Sequence, residues 1–417
     1  MIIDKKIGGI RLVADKTSDV RSATLGVWIK AGSVFEQDEN NGISHFIEHM
    51  LFKGTTKRSY KQIAEEIDNI GGQMNAFTSK ECTCYYAKVI DERQDVAADV
   101  LFDMISNSTF PDEEMKKEKD VVLEEIAMSN DTPDDVSSEL VSMSYFAGSP
   151  LEKTILGPEE RVKGFSREDI QKYMERRYSE DKIVVAASGN VDIELLSDMI
   201  ESRLNVSKSS STDDERDYTF ENKSFACIKK DIEQVHISLG LPAYNYTDDR
   251  KFALSVVNNV FGGAMSSRLF QRIREELGMA YSVYSYPLVY MHGAMTTIYA
   301  ASNVKNAPKA TQEILKEIER MRRFGITETE LKNSKEQLRG NFILSREGSA
   351  ARMNSLGKNA LLTGKLVDER EVLDKLAAVT MSDVDEVIAH VMDAQKLTTT
   401  FVGAVQDESA LKAAAGR

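Results

Sequence analysis

Asn41-Gly42-Ile43-Ser44-His45-Phe46-Ile47-Glu48-His49-Met50-Leu51-Phe52-Lys53-Gly54 carries two signals at once. Ile43, Phe46, Ile47, Met50 and Leu51 recur at helical spacing and make one apolar stripe, and Gly54 is a reasonable stop. On such a helix His45 and His49 stand one turn apart on one face. Two imidazoles so placed can both reach one tetrahedral Zn²⁺ at about 2.0–2.1 Å. Glu48 lies beside His49 and can face the same point without ligating. The plain alternative is a pair of surface histidines on an amphipathic helix. With only 5 histidines in 417 residues, His-x-x-Glu-His is more specific than composition would produce.

A catalytic zinc site needs a third protein ligand and an open fourth position. The candidates lie in Pro111 to Asn130, PDEEMKKEKDVVLEEIAMSN, which reads as a charged amphipathic helix with Asp112 as its N-cap. Glu118 and Glu125 are two turns apart on one face of it. The residues alone do not choose between them, and glutamates on such helices mostly face solvent.

Outward from these segments, the chain divides. Val206 to Asp217, VSKSSSTDDERD, is polar, Ser-rich and aperiodic, and reads as a linker between residues 1–205 and 218–417. The halves echo each other. Each opens on paired strand-like runs, Ile10 to Ala14 and Ala23 to Lys30 in one, Phe225 to Lys230 and Val235 to Leu239 in the other. Each closes on a helical stretch entered at a serine, Ser166 or Ser382, then a β-like run and a glycine. The expectation is an α+β fold of two homologous domains, each a mostly antiparallel sheet with helices packed on one face.

Composition bounds the partners. A net charge of −14 argues against nucleic acid and permits a basic peptide. No apolar run approaches the roughly 18 residues of a membrane span, and the first residues lack the apolar core of a secretory signal, so a cytoplasmic location is expected. Cys82, Cys84 and Cys227 follow no metal or disulfide spacing and read as reduced thiols. His236, His292 and His390 follow no ligand spacing either.

With these motifs in place, the chain resembles the pitrilysin/insulinase family of metallopeptidases, whose zinc motif is this inverted His-x-x-Glu-His. The closer likeness is to the short branch that includes the β subunit of mitochondrial processing peptidase and its bacterial relatives. It runs over Gly26 to Ser33, Asn75 to Ser79, Glu118 to Glu125 and Arg274 to Tyr281, essentially the whole chain. The resemblance implies a processing-peptidase-like metallohydrolase fold and one Zn²⁺ per chain, held by His45, His49 and Glu125. It implies Glu48 as general base and Glu118 as a supporting carboxylate that orients a ligand. Asn75, Ala76 and Phe77 match an edge strand that pairs with the substrate backbone. Arg274 and Tyr281 match a pair that contacts substrate near the scissile bond. In the second half Leu254, Val257 and Asn258 stand opposite His45, Glu48 and His49, so no metal is expected there. Only Gly262-Gly263 remain where the non-catalytic processing subunit carries a glycine-rich loop.

The resemblance therefore implies a zinc endopeptidase acting on unfolded or short peptides, basic presequence-like ones among them. It also implies a homodimer in which Arg274 and Tyr281 serve the zinc site of the other chain. The competing expectation is a non-catalytic or hetero-oligomeric peptide-binding subunit, a role in which relatives usually lack part of the metal motif.

Overall fold

The structure, a computed structural model, describes residues 1–208 and 218–417. The linker expected at 206–217 lies outside the described residues from 209 onward. Packing gathers the chain into two units. The first is Met1–Ile126, Lys153–Glu215 and Ile343–Val367, and the second is Ala127–Glu152, Arg216–Phe342 and Asp368–Arg417, the undescribed residues apart. Each sequence half thus supplies most of one unit and one segment of the other.

The first unit holds a six-stranded sheet of β1 (Ile2–Ile7), β2 (Ile10–Lys16), β3 (Ser22–Ile29), β4 (Gln73–Thr78), β5 (Thr83–Ile90) and β6 (Ile183–Gly189). Their order is β1-β2-β6-β3-β5-β4, antiparallel except for the β2/β6 pair. Alternation sorts the side chains. Leu12, Ala14, Leu25, Val27, Ile29, Tyr85 and Val185 face the main core. There they meet Phe46, Ile47 and Met50, Leu101 and Met104, Val122, and Ile170 from the covering helices. The opposite residues, Val13, Trp28, Cys84, Val184 and Ala186, make a second apolar layer. One helix, Ser349–Thr363, covers it through Met353, Leu356 and Ala360. The approach is close: a Cβ on Gly357 would lie 2.2 Å from Trp28 Nε1, and one on Gly26 would lie 2.5 Å from Met353 Sδ.

The second unit repeats the plan. It contains β7 (Phe225–Lys229), β8 (Gln234–Pro242), β9 (Ala280–Val289), β10 (Ala294–Asn303) and β11 (Thr398–Gly403). Their order is β7-β11-β8-β10-β9, again with one parallel pair, β11/β7. Its main core lies on the face of Val235, Ile237, Leu239 and Leu241. On the other face lies the helix Pro133–Tyr145, with Ser137 Oγ 2.8 Å from Ser238 Oγ and Asp134 accepting a 2.6 Å hydrogen bond from Tyr299.

The sheet orders match position for position from β2 onward, which makes the two units copies of one α+β plan. Two local expectations need correction, and one strand escapes the sequence reading. Thr380, not Ser382, caps the helix Met381–Val391, because Thr380 and Asp383 form a reciprocal capping box. Asp112 is already helical, and the carbonyl of Pro111 accepts the first bond from Met115 N at 2.8 Å. Strand β1 was not expected, since as an outer strand it leaves most of its residues exposed and shows little alternation. No helix among the described residues is long and apolar enough to cross a membrane.

Candidate metal centre

The helix Ile43–Leu51 is fixed at both ends. At its start Gly42 has φ +97°, and a Cβ there would lie 2.5 Å from Leu156 O, so only glycine fits. The helix has no side-chain cap of its own, and buried Glu36 takes that task. Its Oε2 accepts from Gly42 N at 2.7 Å and Asn41 Nδ2 at 2.8 Å, and its Oε1 accepts from Ser44 N at 2.9 Å. Burial raises the Glu36 carboxyl above its ordinary range, and these bonds oppose the rise. Beyond the helix, Thr55 donates to Asp103 at 2.6 Å, and Arg58 reaches Asp103 at 2.8 Å, Asp99 at 2.5 Å and Glu66 at 3.0 Å. That network ties the exit of the helix to the helix Gln94–Asn107.

Between these anchors three donor atoms converge. Glu125, on the helix Asp112–Asp131, brings Oε2 to 3.6 Å from His45 Nε2 and 3.4 Å from His49 Nε2. One ligand atom from each of the three residues lies within 4.8 Å of the others. Two imidazole nitrogens and one carboxylate oxygen match the donor sets of zinc sites that keep a position open. The tautomer also suits a metal. His49 Nδ1 is 2.8 Å from Glu118 Oε1, a partner that keeps the proton on Nδ1 and makes Nε2 the atom to ligate once its own proton is displaced. The other oxygen of Glu118 meets Lys53 Nζ at 2.5 Å. His45 has no such support: its Nδ1 is buried without a hydrogen-bond partner, so packing alone sets that ring.

The electrostatics separate the residues. Burial, then the neighbouring His49, lowers His45 to about 4, so it is neutral and able to ligate. Burial also opposes charge on His49, but Glu118 and Glu125 outweigh it and raise this ring to about 9. Metal binding must therefore displace a proton there. Burial raises Glu118 as well, yet the bonds from His49 and Lys53 leave it below its ordinary value. Glu125 is lowered, chiefly by its hydrogen bond with His49. Glu48 moves the other way, raised mainly by burial, while its Oε2 accepts a 2.5 Å hydrogen bond from Thr78 Oγ1.

Asn75, Ala76 and Phe77 lie on β4, the outermost strand of the first sheet. Phe77 packs edge-on against Trp28 with ring centroids 5.5 Å apart. Arg274 and Tyr281 lie in the second unit and touch each other: the guanidinium sits 4.7 Å from the Tyr281 ring centre, and Tyr281 is 77% exposed. Leu254 and Val257, set against His45 and Glu48, are buried apolar residues. Asn258, set against His49, bonds instead to Ser285, accepting from its Oγ at 2.8 Å and donating to its carbonyl at 3.2 Å. His45, His49 and Glu125 form the one potential metal-holding group among the described residues. Glu36, Lys53 and Thr78 were not singled out from sequence. Lys53 and Thr78 lie inside the quoted motifs, but nothing near Glu36 marks it as a cap.

Two family models match the chain, one described as Insulinase (Peptidase family M16) over residues 11–159 and one as Peptidase M16 inactive domain over residues 164–338. The uncharacterised zinc protease YmxG of Bacillus subtilis is 43% identical, over 90% of this chain and 92% of its own length. An uncharacterised zinc protease of Streptomyces coelicolor is 35% identical, over 97% of this chain and 89% of its own. Among solved structures, a protease from Helicobacter pylori has a TM-score of 0.88 at 19% identity, covering 97% of this chain and 99% of that one. A peptidase M16 inactive domain from Pseudomonas fluorescens has a TM-score of 0.90 at 16% identity, with the same coverage. At such identities these two show a shared fold.

Proposed function

Because this chain belongs to the insulinase family, peptidase family M16, we propose that it is a zinc-dependent endopeptidase whose metal is held by His45, His49 and Glu125. The observation that carries this reading is the convergence of one nitrogen from each ring and one carboxylate oxygen within 4.8 Å. When bound, zinc supplies a divalent charge that polarises the scissile carbonyl and brings the pKa of a water in the open position to about 7.

The chain's own residues do the rest. Glu48 takes a proton from the attacking water and hands it to the leaving amine. Its burial, which raises the carboxyl, suits a group that must hold a proton between two steps. Glu118 orients His49, and Lys53 occupies the far oxygen of Glu118. The exposed outer strand at Asn75 to Phe77 offers backbone groups to an extended peptide. In this reading residues 1–205 supply the catalytic domain and 218–417 its metal-free counterpart, each completed by one segment from the other half. The exposed Tyr281, steadied by Arg274, then serves the carbonyl oxygen at the zinc site of a second copy of the chain. The substrates are unfolded or short peptides, with basic ones favoured by the net charge of −14.

The test measures zinc content together with cleavage of a quenched fluorescent peptide, with and without chelator. One zinc per chain and chelator-sensitive cleavage are expected. Glu48→Gln keeps the metal and loses turnover. Wild-type protein that binds no zinc, or a Glu48→Gln variant of full activity, ends the reading. For the dimer, His45→Ala and Arg274→Ala chains, each inactive alone, regain partial activity when dissociated and mixed; a fully active monomer excludes it.

A further inference from the structure

We propose that Thr78 is the positioning residue for Glu48, and that it makes the two oxygens of that carboxylate unequal. The inference rests on the general-base reading of Glu48. Thr78 is the last residue of β4, and its Oγ1 lies 2.5 Å from Glu48 Oε2. A second hydroxyl, Thr83 Oγ1, lies 3.3 Å from Thr78 Oγ1. Thr83 is paired with Thr78 in the ladder, and it donates its only hydroxyl proton to the carbonyl of Ala31 at 3.0 Å. A hydroxyl has one proton to give. With the Thr83 proton spent on Ala31, the Thr78 proton has one charged acceptor in reach, the Glu48 carboxylate. The direction of the bond is therefore fixed: Thr78 donates and Glu48 Oε2 accepts.

Two consequences follow. Oε2 already accepts a short, charge-assisted hydrogen bond, so Oε1 is the oxygen left to receive the proton of the attacking water. In that step one water O–H bond breaks and a bond from Oε1 to the proton forms. The same proton later passes to the nitrogen of the leaving amine, and the carboxylate returns unchanged. The second consequence concerns placement. Thr78 belongs to the outer strand of the sheet, so the group that sets the carboxylate plane is built on the same strand that is open to an extended peptide. A productive peptide and the base then share one rigid reference, and proton transfer depends on angstrom-scale placement.

The experiment compares Thr78→Val and Thr78→Ser in the full chain loaded with zinc. Valine keeps the volume and loses the donor; serine keeps the donor and loses a methyl. Thr78→Val is expected to lower kcat by about 10–100-fold, the range for losing an orienting partner. KM should stay within about 2-fold, with zinc content and melting temperature near wild type. Thr78→Ser should recover kcat to within about 3-fold of wild type. Wild-type kcat in Thr78→Val overturns the proposal. So does a serine variant as slow as the valine one, which would assign the effect to packing. If Thr78→Val does not fold, Thr78→Ala takes its place with the same expectation. The parent reading fails separately, through wild-type protein with no zinc-dependent cleavage or an active Glu48→Gln variant.

Discussion

Glu36 uses both carboxylate oxygens on the start of the metal-site helix, and its burial leaves no water to replace it. Glu36→Ala strands the amides of Gly42 and Ser44, three residues and one residue before His45. We expect a stability loss of about 2 kcal/mol by chemical denaturation, and zinc affinity about 10-fold weaker by chelator competition. An unchanged denaturation midpoint would show that the cap is dispensable. Residues also mark where sequence stops being informative. His45, Glu48 and His49 declare themselves through helical spacing. Glu118 and Glu125 do not, because a seven-residue separation puts both on one face. Their tasks separate only in space, where Glu125 stands at the Nε2 atoms of both rings and Glu118 at Nδ1 of one. Glu36 was illegible for a related reason: its bonds to the start of the helix come from the backbone amides of Gly42 and Ser44, which carry no side-chain signature.

At the scale of elements, the short segment after the metal-site helix is held by charge. Asp103 is almost fully buried, and bonds from Thr55, Arg58 and Asn107 outweigh its burial to keep its carboxyl below the ordinary value. A carboxyl lowered by folding contributes stability above its unfolded pKa, near 3.9, and loses that contribution as pH falls through its folded value. Arg58→Met leaves this carboxylate without its main charge partner and should cost about 3 kcal/mol at pH 7. The deficit should shrink as pH falls from about 4 through the lower folded value of Asp103, beneath which the carboxyl is protonated folded and unfolded alike. A pH-independent deficit in denaturation experiments would point to lost packing instead. The helix Ser349–Thr363 supplies a second test. Gly357 lets it approach Trp28, so Gly357→Val should lower stability by about 1–3 kcal/mol, read as a lower melting temperature. Strands and their alternation were legible because half of each strand faces one core. The destination of this helix was not, since sequence order places it in the other half.

On the scale of the whole molecule, duplication was visible as an echo of strand and helix order, and the sheet orders of the two units repeat it. The exchange of single helices was invisible, because nothing in residues 133–145 or 349–363 names the sheet it covers. A chain ended at residue 208 keeps every proposed zinc ligand yet lacks the cover over Val13, Trp28, Cys84 and Val184. It should be insoluble or lack the near-ultraviolet signal of a packed tryptophan, whereas a fusion restoring residues 343–367 should recover it. A soluble, cooperatively melting 1–208 fragment would refute this account.

That exchange also sets a clock on biosynthesis. Glu125, the last proposed ligand, leaves the ribosome long before Met353 and Leu356, which close the layer behind Trp28. At about 5–20 residues per second the delay is on the order of tens of seconds. During that interval the nascent chain carries all three proposed ligands while the rear layer of their sheet is still uncovered. A chain built this way does not complete the unit that carries the proposed ligands until most of the polypeptide has been translated.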